Sequence, residues 1–157
     1  MNSFPCFLQS VTWTGQQEGQ DCYDLIEWLA AQSWCSGKVG MSGNSYLAIA
    51  QWFAAAEQPP HLTAIAPWEG WSDTYRDLIL RGGMPDLAFP AQWATAWAGK
   101  NQREDLVAEA ERFPRMNALW ESKRARLSKI TVPAYVVASY SNSIHTQGTF
   151  RGFREIQ

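Results

Sequence analysis

A serine stands where a short apolar segment meets a helix-forming one. Residues 38–42 have the length and composition of a buried β-strand, and residues 46–57 are rich in alanine and end before a Pro-Pro pair. Only Gly43, Asn44 and Ser45 separate them. The chain is therefore predicted to turn sharply from strand to helix at Ser45.

The elements around this turn alternate between helix and strand. Residues 21–32 carry apolar side chains at helical spacing, with Asp21 placed to cap the helix. Residues 62–66 form a second apolar run of strand length, which Pro67 stops. The order helix, strand, tight turn, helix, strand predicts parallel βαβ packing in an α/β fold, with residues 1–70 as a core unit.

Two further regions follow this core. Residues 71–127 are charged, aromatic and helix-like, and glycine and proline residues interrupt them at intervals. They are interpreted as a helical insertion. Residues 128–157 return to the core through a β-rich run and a final amphipathic helix, residues 146–156. The predicted sheet has only about three strands, which leaves unpaired edges, so the chain is expected to be truncated.

The composition excludes several classes of protein. With 46% apolar residues the chain can bury a core, and a net charge of -2 gives no basic surface for nucleic acid. No apolar run approaches the roughly 18 residues of a membrane span. Met1 to Val11 lacks signal-peptide features, and the 3 cysteines match no metal spacing. We expect a cytoplasmic protein without metal or cofactor; its oligomeric state is open.

The predicted turn suits a nucleophilic serine. A strained strand-to-helix turn lifts the hydroxyl above the sheet, and the N-terminus of the following helix offers N–H groups to a developing oxyanion. Leu47 replaces the last glycine of the G-x-S-x-G pattern, so an ordinary helix N-cap at Ser45 is the alternative interpretation. Ser42 is a competing nucleophile, although it would cut the strand short.

Residues 19–48 closely resemble the X-Pro dipeptidyl-peptidase and cocaine-esterase-like family of α/β hydrolases. The resemblance continues through residues 58–70, Arg81-Gly-Gly83 and residues 130–134. It implies a partial α/β-hydrolase fold, a parallel sheet with flanking helices, in which residues 71–127 form a helical cap over the active site. The strand that carries the catalytic acid would lie in residues 128–157.

The resemblance also assigns roles to individual residues. It implies that Ser45 is the nucleophile, that the Tyr46 backbone N–H is one oxyanion donor, and that Trp68 faces the acyl pocket. Glu69, beside Trp68, is interpreted either as a contact to a substrate amine or as a structural hydrogen-bond acceptor. Tyr23 lies on a helix and does not match the family's second oxyanion donor, a tyrosine hydroxyl.

The acid of the family's Ser-Asp-His triad has no counterpart in the sequence. It is expected within residues 139–145, which contain no carboxylate. Asn142 is the predicted occupant, with Ser141 and Ser143 as alternatives if the alignment slides by one residue. Losing this carboxylate lowers turnover by about 10⁴-fold in the serine-protease template.

The histidine of the triad is also unmatched, because it is expected well downstream of the acid. His61 starts a strand on the wrong side of the sheet for a general base. His145 is too close to the acid strand, so it is interpreted as a turn or helix-cap histidine, with a substitute base as the alternative.

The resemblance therefore implies a serine hydrolase that cleaves amide or ester bonds of a small molecule or peptide through an acyl-enzyme. Because only the serine is matched, this chain alone is expected to be inactive. The alternatives are a pseudoenzyme that binds acyl or peptidyl ligands, or a non-functional gene fragment. The basic residues at 123–129 and the acidic pair Glu104-Asp105 are expected to face solvent.

Overall fold

The computed structural model describes residues 13–97 and 104–156. The main elements are, in chain order, α1 (Gln16–Ala30), β1 (Val39–Asn44), α2 (Tyr46–Ala56), β2 (Leu62–Trp68), β3 (Leu80–Arg81), β4 (Met84–Pro85), α3 (Ala88–Trp97), α4 (Leu106–Arg112), α5 (Ala118–Ser122) and α6 (Thr146–Glu155). Residues 1–11, in which no signal peptide is predicted, lie outside the described residues, as does Cys6.

The unit β1–α2–β2 is the predicted parallel βαβ arrangement. β1 and β2 pair in parallel, with Ser42 opposite Ala66 and Asn44 opposite Trp68. α2 is buried over most of its length, because its small alanines and apolar side chains pack on neighbouring elements on several sides. The predicted α/β fold class is confirmed, and β1 runs two residues beyond its predicted end at Ser42.

A third segment, residues 133–138, continues the sheet beside β2. Bridges join Ile65 to Ala134 and Trp68 to Val137, both in the parallel sense. Backbone hydrogen bonds alternate along this edge, from Ile65 N–H to Pro133 and from Val137 N–H to Pro67. All three segments therefore end at the same edge of the sheet, where the predicted site residues lie.

Helix α1 begins at Gln16, five residues before the predicted cap at Asp21. The Glu18 side chain accepts a hydrogen bond from the Thr14 N–H at 3.1 Å, which ties the residue before the Gly15 N-cap to the first turn of the helix. Asp21 therefore lies inside the helix. α1 packs against α2, where Gly19 is so close to the Phe53 carbonyl that a Cβ would lie 2.8 Å from its oxygen.

The described residues within 71–127 form short elements rather than long helices. A π-helical turn (Tyr75–Ile79) leads into the β3–β4 hairpin, and α3, α4, α5 and a 3₁₀ turn (Leu127–Lys129) follow. No helix among the described residues is both long and apolar enough to cross a bilayer.

The prediction that Lys123 and Glu104 face solvent was wrong. The Lys123 ammonium lies 2.5 Å from the Glu104 carboxylate, and both side chains are almost fully buried. Lys123 also donates to the Trp13 carbonyl at 2.9 Å. Each charge compensates the other, so the two side chains can be buried together. The sequence pattern alone, a run of charged residues, is typical of an exposed surface.

Candidate active site

Ser45 occupies a strained turn between β1 and α2. Its backbone has φ 58 and ψ -119, a region that residues with a side chain rarely adopt. The Ser45 N–H donates to the Trp68 carbonyl at 3.0 Å, which ties the turn to the end of β2. A Cβ on Gly43 would lie 2.5 Å from the Leu47 Cβ, so the turn needs glycine there.

The Ser45 side chain does not cap α2. It makes no hydrogen bond to the first turn of the helix, and instead its Oγ lies 3.0 Å from Nε2 of His145. The orientation matches that of a serine nucleophile beside a base, for which a separation of about 2.6–3.2 Å is typical. Backbone strain and the His145 contact both distinguish this turn from an ordinary helix start.

His145 directly precedes α6 and is held on three sides. Its ring stacks on Trp71 with centroids 5.1 Å apart and an interplanar angle of 15°. Its backbone N–H donates to Oδ1 of Asn142 at 3.1 Å. Its Nε2 meets Ser45, so His145 lies beside a helix start, as its preferred interpretation predicts, and also has the contact that the alternative of a substitute base requires.

The burial of His145 decides its charge. The side chain is only 6% exposed. Burial lowers the pKa of His145 to about 4, against the opposing influence of Glu69. At neutral pH the ring is therefore uncharged. Its buried Nδ1 has no hydrogen-bond partner among the described residues, whereas Nε2 can accept the Ser45 hydroxyl proton.

Helix α6 is fixed against the loop after β2, which explains why His145 reaches Ser45. Thr149 Oγ1 donates to the Gly70 carbonyl at 3.1 Å, and Ser72 Oγ donates to the Gly148 carbonyl at 3.1 Å. A Cβ on Gly148 would lie 2.5 Å from the Cα of Trp71. This close approach sets the distance between α6 and the indole on which His145 stacks.

Asn142 lies in the loop that follows the third sheet segment, where the resemblance implies the acid. Its Oδ1 accepts the N–H groups of Ile144 at 3.0 Å and His145 at 3.1 Å, and its Nδ2 donates to Glu69 at 3.0 Å. The alternatives Ser141 and Ser143 are exposed. Glu69 is thus a carboxylate that hydrogen-bonds directly to the Asn142 amide.

Tyr46 begins α2, so its backbone N–H lies in the first turn, where a helix offers no internal acceptor. This is the position that the resemblance implies for an oxyanion donor beside Ser45. The Tyr46 phenol points elsewhere and donates to Glu18 at 2.9 Å. Burial raises the pKa of the Glu18 carboxyl to about 7.

The other predicted residues lie at different positions. Trp68 is 43% exposed, and its carbonyl accepts from the Ser45 N–H. Ser42 lies within β1 and is exposed. His61 is exposed and pairs with Glu27 through an Nδ1–Oε2 contact of 2.6 Å, so it is not part of this site.

Sequence reasoning did not identify the contact of Glu69 with Asn142, and it gave a base at His145 only as the alternative interpretation. The signal that favours both is topological, because the carboxyl ends of neighbouring parallel strands meet at one edge of a sheet. Ser45 follows β1, Glu69 follows β2, and Asn142 and His145 follow the third segment. Because the family's histidine is expected well downstream of the acid, the resemblance alone does not place His145 at this edge.

Known proteins share this sequence and fold in part. Cocaine esterase from Rhodococcus sp. (strain MB1 Bresler) is 46% identical over 56 residues, which are 36% of this chain and 10% of that enzyme. A crystal structure of a CocE/NonD family hydrolase from Staphylococcus aureus superposes with a TM-score of 0.87 at 36% identity, over 94% of this chain and 28% of that one.

A more distant solved structure shows the same fold. An aminopeptidase from a marine sediment archaeon matches with a TM-score of 0.59 at 14% identity, over 87% of this chain and 29% of its own. The chain thus spans about a tenth of the curated esterase and under a third of these solved hydrolases. The family model for X-Pro dipeptidyl-peptidase (S15 family) matches residues 10–109, and the chain belongs to this family of hydrolases.

Proposed function

We propose that Ser45 and His145 form the nucleophile and general base of a serine hydrolase that cleaves ester or amide bonds through an acyl-enzyme. The observation that carries the proposal is the 3.0 Å contact between Ser45 Oγ and His145 Nε2 at a strained strand-to-helix turn. The expectation of inactivity rested on the lack of a base near Ser45. The contact with Ser45 supports His145 as that base.

The proposed reaction follows from the protonation state of His145. Ser45 Oγ attacks the acyl carbonyl while its proton moves to the neutral Nε2 of His145. The carbonyl oxygen becomes an oxyanion beside the Tyr46 N–H. When the tetrahedral intermediate collapses, the proton passes from His145 to the leaving alcohol or amine. Water then attacks the acyl-enzyme by the same route and releases Ser45.

The low basicity of His145 limits the substrates on which this pair can act. A base with a pKa of about 4 is neutral at working pH, but the driving force for transfer of a proton to it is small. Esters with good leaving groups are therefore favoured over amides in this chain. An ester or peptide of small size is the proposed substrate class, in keeping with the cocaine esterase and S15 relatives.

A second candidate function is ligand binding without turnover. It is favoured by Asn142, an amide at the position where the resemblance implies the acid, and by Nδ1 of His145, which lacks a partner among the described residues. An imidazolium formed during catalysis would have no carboxylate in direct contact. A pseudoenzyme would retain saturable binding of acyl or peptidyl ligands in the Ser45→Ala variant.

Hydrolysis of p-nitrophenyl acetate by the purified chain tests the two candidates. We expect slow turnover above background, which Ser45→Ala abolishes. Ser42→Ala is the matched control, since Ser42 is an exposed serine three residues away and should be dispensable. Turnover that survives Ser45→Ala contradicts the proposal. Absence of turnover together with saturable ligand binding favours the pseudoenzyme.

A further inference from the structure

Glu69 is held in an unusual backbone conformation at the end of β2. Its φ is 57, which costs energy for a residue with a side chain. The strain is maintained by its neighbours, because the Glu69 N–H donates to the Val137 carbonyl at 2.8 Å. Its carboxylate accepts the Ser139 N–H at 3.0 Å and Nδ2 of Asn142 at 3.0 Å. The carboxylate is therefore aimed at the end of the third sheet segment.

Asn142 connects this carboxylate to the histidine. One end of its amide donates to Glu69, and the other accepts the backbone N–H of His145. An amide has the shape of the carboxylic acid that the family pattern places there but carries no charge. The negative charge lies instead on Glu69, which is one hydrogen bond further from His145 than Asn142 is.

Two cations close to α6, Arg81 and Arg151, are already paired with other acids. Arg81 is bound to Asp86 and to the Ser143 carbonyl, and Arg151 pairs with Asp77 at 2.8 Å. Glu69 is the charged group whose field opposes the effect of burial on the pKa of His145. Hydrogen bonds, first those from Ser139, hold the pKa of the Glu69 carboxyl below its usual value, so it is ionised at neutral pH.

We propose that Glu69, acting across Asn142, supplies the negative charge that the absent triad acid would place beside His145. This inference rests on the proposed function and assigns Glu69 as a positioning residue. Glu69 takes up no proton. It stabilises the imidazolium that forms when the Ser45 proton moves to Nε2, and it fixes the Asn142 amide that holds the His145 backbone.

A charge exchange between positions 69 and 142 tests the assignment. In the double variant Glu69→Gln/Asn142→Asp, the Gln amide can accept from Ser139 and donate to Asp, whose other oxygen still accepts from His145. The number of hydrogen bonds and the net charge are kept, and the charge moves closer to His145. Glu69→Gln alone removes the charge and places the amide nitrogen of Gln against Nδ2 of Asn142, so that two hydrogen-bond donors face each other.

Two readouts apply to each variant. The first is the pKa of His145 from NMR titration of labelled histidine, with His61 as an internal reference, since His61 pairs with Glu27 elsewhere. The second is the rate at which a fluorophosphonate labels Ser45. We expect Glu69→Gln to lower the pKa of His145 by about one unit and to slow labelling about threefold or more. The double variant should restore both.

The outcomes separate this inference from the proposed function. An unchanged His145 pKa in Glu69→Gln overturns the assignment of Glu69, whatever the labelling shows. If Glu69→Gln slows the labelling of Ser45 and the double variant does not restore the rate, Glu69 has a structural role only. That result also overturns the assignment. If Ser45 is never labelled, the proposed function fails while the titration still decides the link to Glu69. If Glu69→Gln does not fold, a His145 pKa in the double variant below that of the unaltered chain contradicts the assignment.

Discussion

The hydroxyl oxygen of Ser45 lies 3.0 Å from Nε2 of His145, although 100 residues separate them along the chain. The contact forms because α2 and α6 both begin at the same edge of the sheet. Ser45 is presented by a strained turn and His145 by a helix that packs closely on the loop after β2. The pair has the geometry of a nucleophile and its base.

The pH dependence of Ser45 labelling should follow the lowered pKa of His145. The base must be neutral, so activity is present above its pKa and lost as the pH falls through it. Because burial lowers the pKa of His145 to about 4, the labelling rate should stay level down to about pH 5. If the labelling rate instead fell to half near pH 6.5 while circular dichroism showed an intact fold, His145 would be solvated. That result would contradict its lowered pKa.

Replacement of Glu18 by Gln should stabilise the protein at alkaline pH. Burial raises the pKa of the Glu18 carboxyl from 4.5 to about 7. Its protonated form therefore favours the folded state fully below pH 4.5, and this contribution is lost as the pH rises through about 7. Glu18→Gln should raise the free energy of unfolding at about pH 8.5 by about 2 kcal/mol and change it little at about pH 4. Urea unfolding at both pH values measures the difference; an equal effect at both contradicts the prediction.

Substitution of Gly148 by Ala should displace His145. The new methyl group would lie 2.5 Å from the Trp71 Cα, so α6 must move away from the loop. We expect a loss of about 1–3 kcal/mol in stability and slower labelling of Ser45. Gly40→Ala is the control, because a Cβ there meets its nearest atom only at 3.8 Å. Equal behaviour of the two variants in thermal unfolding and labelling would argue against close packing at Gly148.

Replacement of Lys123 by Met should strongly destabilise the fold. It leaves the Glu104 carboxylate buried without its 2.5 Å partner, which costs about 3–5 kcal/mol. Lys129→Met removes an exposed charge from the same basic region and should change stability by less than about 0.5 kcal/mol. Chemical denaturation compares the two. Similar small losses in both would indicate that Glu104 is hydrated in solution.

Local patterns in the sequence predicted the βαβ core and the turn at Ser45. The strand, the three-residue turn and the alanine-rich helix are contiguous in residues 38–57, so each boundary has a local cause. The boundaries of α1 and β1 differ from the predicted ones by a few residues, because Glu18 accepts the Thr14 N–H just before α1 and β1 pairs with β2 up to Asn44.

The remaining parts of the site depend on contacts that no local pattern encodes. His145 reaches Ser45 because the chain after the third sheet segment, residues 133–138, returns to the edge of the sheet where Ser45 lies. The position of His145 in the sequence does not by itself predict this contact. Glu69 is an isolated acid in the sequence and becomes part of the site only through Asn142. Lys123 and Glu104 look like surface charges until their partners are known.

The most direct test of the account is fluorophosphonate labelling of the purified chain, with the modified residue located by mass spectrometry. We predict that Ser45 carries the label, that His145→Gln slows labelling by about 10²-fold or more, and that His61→Gln has no effect. A label on Ser42 instead of Ser45, or equal labelling rates in the unaltered chain and in His145→Gln, would contradict the assignment of Ser45 and His145 as nucleophile and base.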